Sequence, residues 1–246
     1  MVLGVPEEPL PARPVEAVLF DLHGTLAQVE DAVDWVCRAA QECGVDLDPI
    51  RATALADRLV AAGRPGGPPP RRVPPHLIEV WAERDLDPGA HRAAYTGLAE
   101  SVGCGIEGLP EALYARLRCP QGWRLYADTL PTLRTLRAAG LPVGVVSNIG
   151  FDVRELAAGW GLAELVDAWA LSYEVGRTKP DAAIFRYACA ALGVPPERVL
   201  MVGDSPADAG AVAAGCTVLV LPPGEPGQVN GLAGALALSR CDADHA

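Results

Sequence analysis

Five short apolar runs, most of them alternating with helical patterns, constrain the fold of this chain more than any other feature. The runs are Val15–Phe20, Leu141–Val146, Asp167–Leu171, Val199–Val202 and Cys216–Leu221. The helical patterns among the later runs are Thr129–Ala139, Phe151–Trp160, Asp181–Leu192 and Ala207–Ala214. Strands that alternate with helices at this spacing form parallel sheets, and continuous apolar strands are covered on both faces. The sequence therefore predicts an α/β fold built on a doubly wound parallel sheet.

The interval between the first and second runs breaks this alternation. No convincing strand occurs from Ala27 to about Cys119, where the amphipathic segments are Val29–Cys43, Pro49–Ala62, Pro75–Arg84, Pro88–Ser101 and Pro110–Arg118. A crossover connection needs only about a dozen residues, so this interval is far too long to be one. We expect residues 28–119 to be an inserted helical domain, residues 15–27 and 120–235 to form the core, and residues 1–14 and 236–246 to be tails.

A segment rich in proline and glycine, Gly63–Arg72, lies in the middle of this interval. Its composition excludes the interior of a helix. It is either a surface loop or a loop that reaches a ligand.

The charge balance excludes several classes of partner. The net charge of −11 and the sequence pI of about 4.8 argue against a nucleic-acid partner, although one bound cation would still allow a phosphate substrate. No apolar run approaches the roughly 20 residues of a membrane span. None of the seven cysteines forms a CxxC pair, which favours free thiols in a reducing cytoplasm.

Lys179 is the single lysine of the chain, which otherwise carries 19 arginines. A position that stays lysine in such a background favours a compact ammonium on a flexible stem over a planar guanidinium. Three other polar sites follow apolar runs, namely Asp21, the pair Ser147 and Asn148, and Asp204. Because ligands bind beyond the carboxyl ends of parallel strands, we expect these residues to lie close together.

The same residues resemble four motifs of the haloacid dehalogenase-like hydrolase superfamily, in the family's order. These motifs are Asp21–Leu26 (DLHGTL), Ser147-Asn148, Lys179-Pro180-Asp181 and Gly203–Asp208 (GDSPAD). The match spans about Val15 to Leu221. The resemblance implies a Rossmann-like core, and the helical interval resembles the family's C1-type cap.

The resemblance also implies the roles of individual residues in a phosphatase. Asp21 would attack phosphorus and form an aspartyl phosphate. A magnesium ion would bind the Asp21 carboxylate, the backbone carbonyl of His23 and Asp204, and Asp208 would support this shell directly or through water. Lys179 would neutralise the charge of the nucleophile and of the transferring group.

Four further residues are implied in binding the phosphorylated substrate. Ser147 would donate a hydrogen bond to a phosphoryl oxygen, and Asn148 follows it in the same motif. Gly24 would let the backbone N–H groups cradle the phosphate, and Thr25 would brace that turn. The substrate is expected to be a small phosphorylated metabolite, and the choice between monomer and homodimer stays open.

His23 departs from the family pattern, in which phosphatases carry an aspartate that protonates the leaving alkoxide. One interpretation is that the imidazole takes over this acid/base role, its charged form favoured by nearby carboxylates. The second is a metal-independent dehalogenase, against which the pair Asp204 and Asp208 argues. The third is a catalytically weakened protein that binds a ligand or a partner.

Overall fold

A five-stranded, all-parallel sheet forms the centre of the molecule. The computed structural model describes residues 14–222 and 224–239. The strand order is β5-β4-β1-β6-β7, and an antiparallel pair of β2 and β3 lies outside this sheet. The strands are β1 (Ala17–Phe20), β2 (Ala27–Val29), β3 (Trp123–Leu125), β4 (Val143–Ser147), β5 (Ala168–Leu171), β6 (Val199–Gly203) and β7 (Thr217–Val220). The predicted α/β fold with a doubly wound parallel sheet is confirmed.

Helices cover both faces of the sheet. The α-helices are α1 (Ala32–Glu42), α2 (Pro49–Ala62), α3 (Ile78–Glu83), α4 (Pro88–Ser101), α5 (Leu109–Leu117), α6 (Thr129–Ala138), α7 (Arg154–Gly159), α8 (Ser172–Val175), α9 (Ala182–Leu192) and α10 (Ala233–Leu238). Alternate residues of β1 point to opposite faces. Val18 and Phe20 join the core cluster that contains α6 and α7 residues, and Leu19 joins the cluster that contains α9 residues. No described helix is long and apolar enough to cross a membrane.

Helices α1 to α5 form the predicted helical insertion between β1 and β4. They have a hydrophobic cluster of their own, which includes Trp35, Leu55, Leu59 and Leu113. The expectation that this interval contains no strand is wrong, because β2 pairs with β3. The strand is only three residues long and its partner is far away in sequence, so no local periodicity marks it.

Three smaller predictions also need correction. The segment predicted as a helix at Ala207–Ala214 is a 3-10 helix, Asp208–Ala214. Helix α7 begins at Arg154 rather than Phe151, with Val153 as its N-cap, and the Arg154 N–H donates a hydrogen bond of 2.9 Å to Oδ1 of Asp152 in the preceding turn. The predicted C-terminal tail starts too early, since α10 extends to Leu238; residues 240–246 and residues 1–13 of the predicted N-terminal tail lie outside the described residues.

A buried ion pair links the two connections between the insertion and the core. Glu30, directly after β2, accepts two hydrogen bonds of 2.8 Å from Arg116 in α5. Arg116 also donates to the carbonyl of Gln121, just before β3. Glu30 is 2% exposed and Arg116 is 8% exposed, so this bidentate contact is shielded from water and salt. We infer that it fixes where the insertion leaves and rejoins the core.

We predict that Arg116→Met destabilises the protein by about 3 kcal/mol, because it leaves the buried Glu30 carboxylate without its bidentate partner. Urea unfolding monitored by circular dichroism measures the change. The matched control is Arg92→Met, which removes an exposed ion pair with Glu111 and should cost less than about 1 kcal/mol. Equal losses in the two variants would contradict a structural role for the Glu30–Arg116 pair.

Candidate active site

The carboxyl ends of three adjacent strands bring the predicted polar residues together. Asp21 follows β1, Ser147 ends β4 and Asp204 follows β6. Phe20 pairs in register with Val145 on one side and Val202 on the other, so the three strands end at nearly the same level. The Asp21 N–H continues this pattern by donating to the carbonyl of Val202 at 2.9 Å.

The ammonium of Lys179 lies between two carboxylates. Its Nζ donates to Oδ1 of Asp21 at 2.5 Å and to Oδ1 of Asp208 at 2.6 Å. Lys179 and Asp21 are each 6% exposed and Asp208 is fully buried. Burial alone would lower the pKa of Lys179, but the attraction of Asp21 and Asp208 outweighs it and raises that pKa. The lysine is therefore held in its charged form, as its isolation among arginines suggested.

Both polar atoms of the Asn148 side chain hydrogen-bond to the backbone of Lys179. Its Nδ2 donates to the Lys179 carbonyl at 3.0 Å, and its Oδ1 accepts from the Lys179 N–H at 2.7 Å. These two bonds tie the loop after α8 to the end of β4. The predicted substrate-binding role of Asn148 stays a prediction, and the geometry adds a positioning role for its side chain.

Three carboxylates form a compact acidic cluster around this ammonium. One carboxylate oxygen from each of Asp21, Asp204 and Asp208 lies within 4.8 Å of the others. Burial raises the pKa of Asp21 to about 7; Lys179 opposes this rise, and the charges of Asp208 and Asp204 add to it. Burial and the charge of Asp208 likewise raise the pKa of Asp204. One ammonium does not balance three carboxylates, so the cluster favours an additional cation.

Asp208 is held by both of its oxygens. Oδ1 accepts from Lys179, and Oδ2 accepts from the Ser205 N–H at 3.0 Å and the Ser205 hydroxyl at 2.6 Å. A side chain at position 203 would collide with Asp208, because a Cβ on Gly203 would lie 2.3 Å from its Cγ. The GDSPAD motif therefore packs Asp208 against its own backbone.

The turn after β1 approaches the cluster closely. Gly24 has a φ of +87°, and a Cβ there would lie 2.2 Å from Oδ2 of Asp204. Glycine is therefore required both by the left-handed backbone and by the space that Asp204 occupies. Thr25, the next residue, is fully buried beneath the turn.

Asn230 holds this turn from a loop that sequence reasoning did not identify. Its Nδ2 donates to the carbonyls of Gly24 and Thr25 at 3.0 and 2.9 Å. Asp128, at the start of α6, fixes the Asn230 loop by accepting from the backbone N–H groups of Asn230 and Leu232. A single asparagine among glycines and prolines carries no local signal, because its partners lie about two hundred residues away.

His23 is enclosed, and its electrostatic environment differs from the expected one. Its ring makes an edge contact with Trp123, with centroids 5.6 Å apart, and its Nε2 is buried without a hydrogen-bond partner among the described residues. Burial, together with the charges of Arg64 and Lys179, lowers the pKa of His23 to about 4, although the Gln28 side chain opposes this shift. The expectation that neighbouring carboxylates favour the charged imidazole is therefore wrong.

The proline- and glycine-rich segment of the insertion covers His23. A Cβ on Gly66 would lie 2.4 Å from Nε2 of His23, so only glycine fits there. Arg64, two residues earlier, is buried, donates to the Glu30 carbonyl at 2.8 Å and stacks on Trp35. Residues 63–65 are buried next to the site, whereas residues 66–69, 71 and 72 are exposed, so the segment is a surface loop whose first part packs beside the site.

A cavity of about 120 Å³ lies between the core and the insertion. The core contributes Ser147, Asn148 and Phe151 among its walls, and the insertion contributes Asp85, His91 and Tyr95 together with Gly66. His23 and Trp123 also line it. The cavity therefore adjoins the predicted phosphoryl site and has room for a small group.

His91 is a buried histidine in the wall of this cavity. It is 4% exposed, its Nδ1 lies 2.9 Å from the Tyr114 hydroxyl, and its ring contacts those of Tyr95 and Phe151. Burial lowers the pKa of His91 to about 3, and the charges of Arg84 and Arg118 contribute. The neutral imidazole thus packs the insertion against the core.

We predict that His91→Phe weakens the pH dependence of stability. Below the unfolded-state pKa of about 6.5 the unfolded chain takes up a proton that the folded protein excludes until about pH 3, so the parent loses stability on acidification. The free energy of unfolding should fall less steeply in the variant, by up to about 1.4 kcal/mol per pH unit. Guanidinium unfolding between pH 7 and 4 measures the slope; the exposed His76→Phe is the control. If the free energy of unfolding depends on pH equally steeply in His91→Phe and in the parent, His91 is not held neutral in the folded protein.

Comparison with known proteins places the motif residues of this site within one family. A haloacid dehalogenase-like hydrolase model matches residues 15–215. The phosphoserine phosphatase of Thermus thermophilus is 37% identical over 206 residues, which cover 78% of this chain and 82% of that protein. The haloacid dehalogenase-like hydrolase domain-containing protein 3 of Danio rerio is 30% identical over 200 residues, covering 78% and 77%.

A solved dehalogenase with an intermediate complex has the same fold. It superposes with a TM-score of 0.64 at 23% identity and covers 92% of this chain and 97% of that one. The family match, the parallel sheet with its helical insertion and the converging motif residues agree with one another. This chain belongs to the haloacid dehalogenase-like hydrolase family.

Proposed function

We propose that the protein is a Mg²⁺-dependent phosphomonoester hydrolase that acts through an aspartyl phosphate on a small phosphorylated metabolite. The observation that carries the proposal is the buried cluster of Asp21, Asp204 and Asp208 around Lys179. A dehalogenase needs one carboxylate to displace halide from carbon and needs no cation. That reaction therefore does not explain why three carboxylates surround a single ammonium here. The similarity to a phosphoserine phosphatase supports the same conclusion.

The residues present fit a magnesium ion. Mg²⁺ prefers hard oxygen ligands and retains several waters, and carboxylate oxygens from three residues converge within 4.8 Å. Burial, with a smaller contribution from the charges of Asp208 and Asp204, raises the pKa of Asp21, and a bound cation would oppose this rise. Asp21, Asp204 and the backbone carbonyl of His23 would hold the ion, with Asp208 in support. When bound, it would screen the repulsion between carboxylate and phosphate.

Asp21 is the proposed nucleophile. Its carboxylate oxygen forms a bond to phosphorus while the bond from phosphorus to the ester oxygen breaks, and the leaving alkoxide takes a proton from the His23 imidazolium to become the alcohol. Water then attacks the same phosphorus and gives its proton to the neutral imidazole, while the bond from phosphorus to Asp21 breaks and frees inorganic phosphate and the Asp21 carboxylate. Lys179 orients Asp21 through its 2.5 Å hydrogen bond and offsets negative charge in both steps.

The phosphoryl oxygens are proposed to bind at the surrounding strand ends. Ser147 lines the cavity and would donate its hydroxyl, and the backbone at Gly24 and Thr25 would donate N–H groups. Asn148 and Asn230 hold the loops that carry these donors in place. Preorganised donors of this kind stabilise the transferring group without reorganising during the reaction.

The helical insertion is proposed to act as a cap of the C1 type. It covers His23 through Gly66 and supplies part of the cavity wall, so its closure would exclude water from the aspartyl phosphate.

A cytoplasmic location is proposed from the free thiols, since the six cysteines among the described residues form no disulfide. The choice between monomer and homodimer remains open.

A metal-independent dehalogenase is the second candidate, and one observation favours it. Position 23 carries a neutral aromatic ring, packed on Trp123, instead of the carboxylate expected in a phosphatase. The acidic cluster argues more strongly in the other direction. A direct assay separates the two reactions.

We predict that the protein releases phosphate from acetyl phosphate or an aryl phosphate with Mg²⁺ and that a chelator abolishes this release. Asp21→Asn should lose turnover and the acid-stable phosphoenzyme, because an amide is a poor nucleophile. The exposed Asp46→Asn is the matched control and should keep both. Release of halide from a 2-haloacid, unaffected by chelator, would instead establish the dehalogenase.

We further predict that His23→Asp keeps or raises phosphatase activity, because it supplies the carboxyl group that the family's phosphatases carry there. His23 is neutral in the site without substrate, so it can protonate the leaving alkoxide only if the bound phosphate raises its pKa. His23→Ala should then slow the reaction by about 100-fold on alkyl esters, whose leaving alkoxide needs a proton, and less on aryl esters. Steady-state kinetics with both ester types measures the difference. If His23→Ala hydrolyses alkyl esters as fast as the parent, His23 does not transfer the proton.

A further inference from the structure

The cavity beside the phosphoryl site has one acidic wall. Asp85 is the only Asp, Glu, Lys or Arg among the described residues that line it. The other walls include the rings of His91, Tyr95, Trp123 and Phe151. Rings exclude water, and an enclosed carboxylate interacts more strongly with a ligand than one in bulk solvent does. Asp85 therefore supplies the carboxylate of this cavity wall, and its ion-pair partner Arg84 lies outside the lining.

Asp85 is fixed by contacts on both sides. Its backbone carbonyl accepts a hydrogen bond from the Ser172 hydroxyl, which itself accepts from the Ile149 N–H at 2.8 Å. Ile149 lines the cavity and follows the motif residues Ser147 and Asn148 directly in sequence. These bonds tie the backbone of Asp85 to the segment that follows β4, next to the predicted phosphoryl site.

The guanidinium of the neighbouring residue, Arg84, makes contacts with Trp81 and with Asp85 itself. It donates to the Trp81 carbonyl at 2.7 Å, lies 4.0 Å from the Trp81 ring centroid and pairs with Asp85 at 3.1 Å. Arg84 does not line the cavity, whereas Asp85 does. Burial raises the pKa of Asp85, and Arg84 opposes this rise. A hydrogen-bond donor on a ligand would relieve the cost of burying this carboxylate.

We propose that Asp85 determines substrate specificity by accepting a hydrogen bond from an ammonium or hydroxyl group on the alcohol part of the phosphate ester. This inference rests on the proposed function. It assigns the site to phosphomonoesters of small amino alcohols and neutral alcohols. Esters whose alcohol part carries a carboxylate are disfavoured, because two negative charges would meet in an enclosed space. The cavity of about 120 Å³ limits the alcohol to a small group.

Three esters of similar size test the proposal, namely 2-aminoethyl, 2-hydroxyethyl and carboxymethyl phosphate. In the parent protein, kcat/KM should be highest for the first two and about tenfold lower or more for the carboxymethyl ester. In Asp85→Asn the ratio of aminoethyl to carboxymethyl ester should fall by about tenfold, since the amide keeps the shape but not the charge. The exposed Asp57→Asn in α2 makes the same chemical change on the same insertion and should keep the parent ratio.

Product inhibition gives a second measurement that needs no variant. Ethanolamine should inhibit the parent more strongly than glycolate does, if the alcohol binds beside Asp85. A parent that prefers the carboxymethyl ester, or an Asp85→Asn ratio equal to the parent's, would overturn the assignment of Asp85. Failure to release phosphate from all three esters and from acetyl phosphate would instead overturn the proposed function, and the inference with it.

Discussion

The buried hydrogen bonds from one ammonium to two carboxylates determine how the rest of this molecule must be arranged. Lys179 lies in the loop between α8 and α9 and donates hydrogen bonds to Asp21 and Asp208, and all three side chains are shielded from water. Unpaired, any one of these charges would cost several kcal/mol to bury. The strand ends and the loops that carry the three residues must therefore keep a fixed relation to one another.

Residues outside the charged cluster maintain that relation. Asn148 holds the Lys179 backbone, and Asn230 holds the turn at Gly24. The cluster still carries one ammonium against three carboxylates, and this imbalance connects the fold to the proposed chemistry. A cation and a phosphoryl group together would bring the charges closer to balance, whereas a neutral organic halide would not. The insertion adds a wall of rings and a single carboxylate, Asp85, where the alcohol would lie.

The parts of this arrangement that the sequence predicts are those with a local signal. Apolar runs followed by Asp21, Ser147 and Asp204 predict parallel strands and a shared edge. Contacts between distant segments leave no such signal: β2 pairs with β3 across the whole insertion, and Asn230 reaches back to Gly24. The protonation state of His23 could not be predicted from the sequence either. Nearby carboxylates suggest a charged imidazole, but Trp123 and the insertion bury the ring and keep it neutral. The pKa of a group in an enclosed site depends on how far the group is buried, and the identity of its neighbours in the sequence does not reveal this.

Anomalous diffraction from crystals grown with Mn²⁺ tests the central claim most directly, because this ion binds the same hard oxygen ligands as Mg²⁺. We predict a peak about 2.1 Å from carboxylate oxygens of Asp21 and Asp204, with Lys179 still hydrogen-bonded to Asp21. Density that shows the carboxylates together but no ion between them would contradict a cation-dependent reaction. Side chains of Asp21, Asp204 and Lys179 found apart would contradict the site itself.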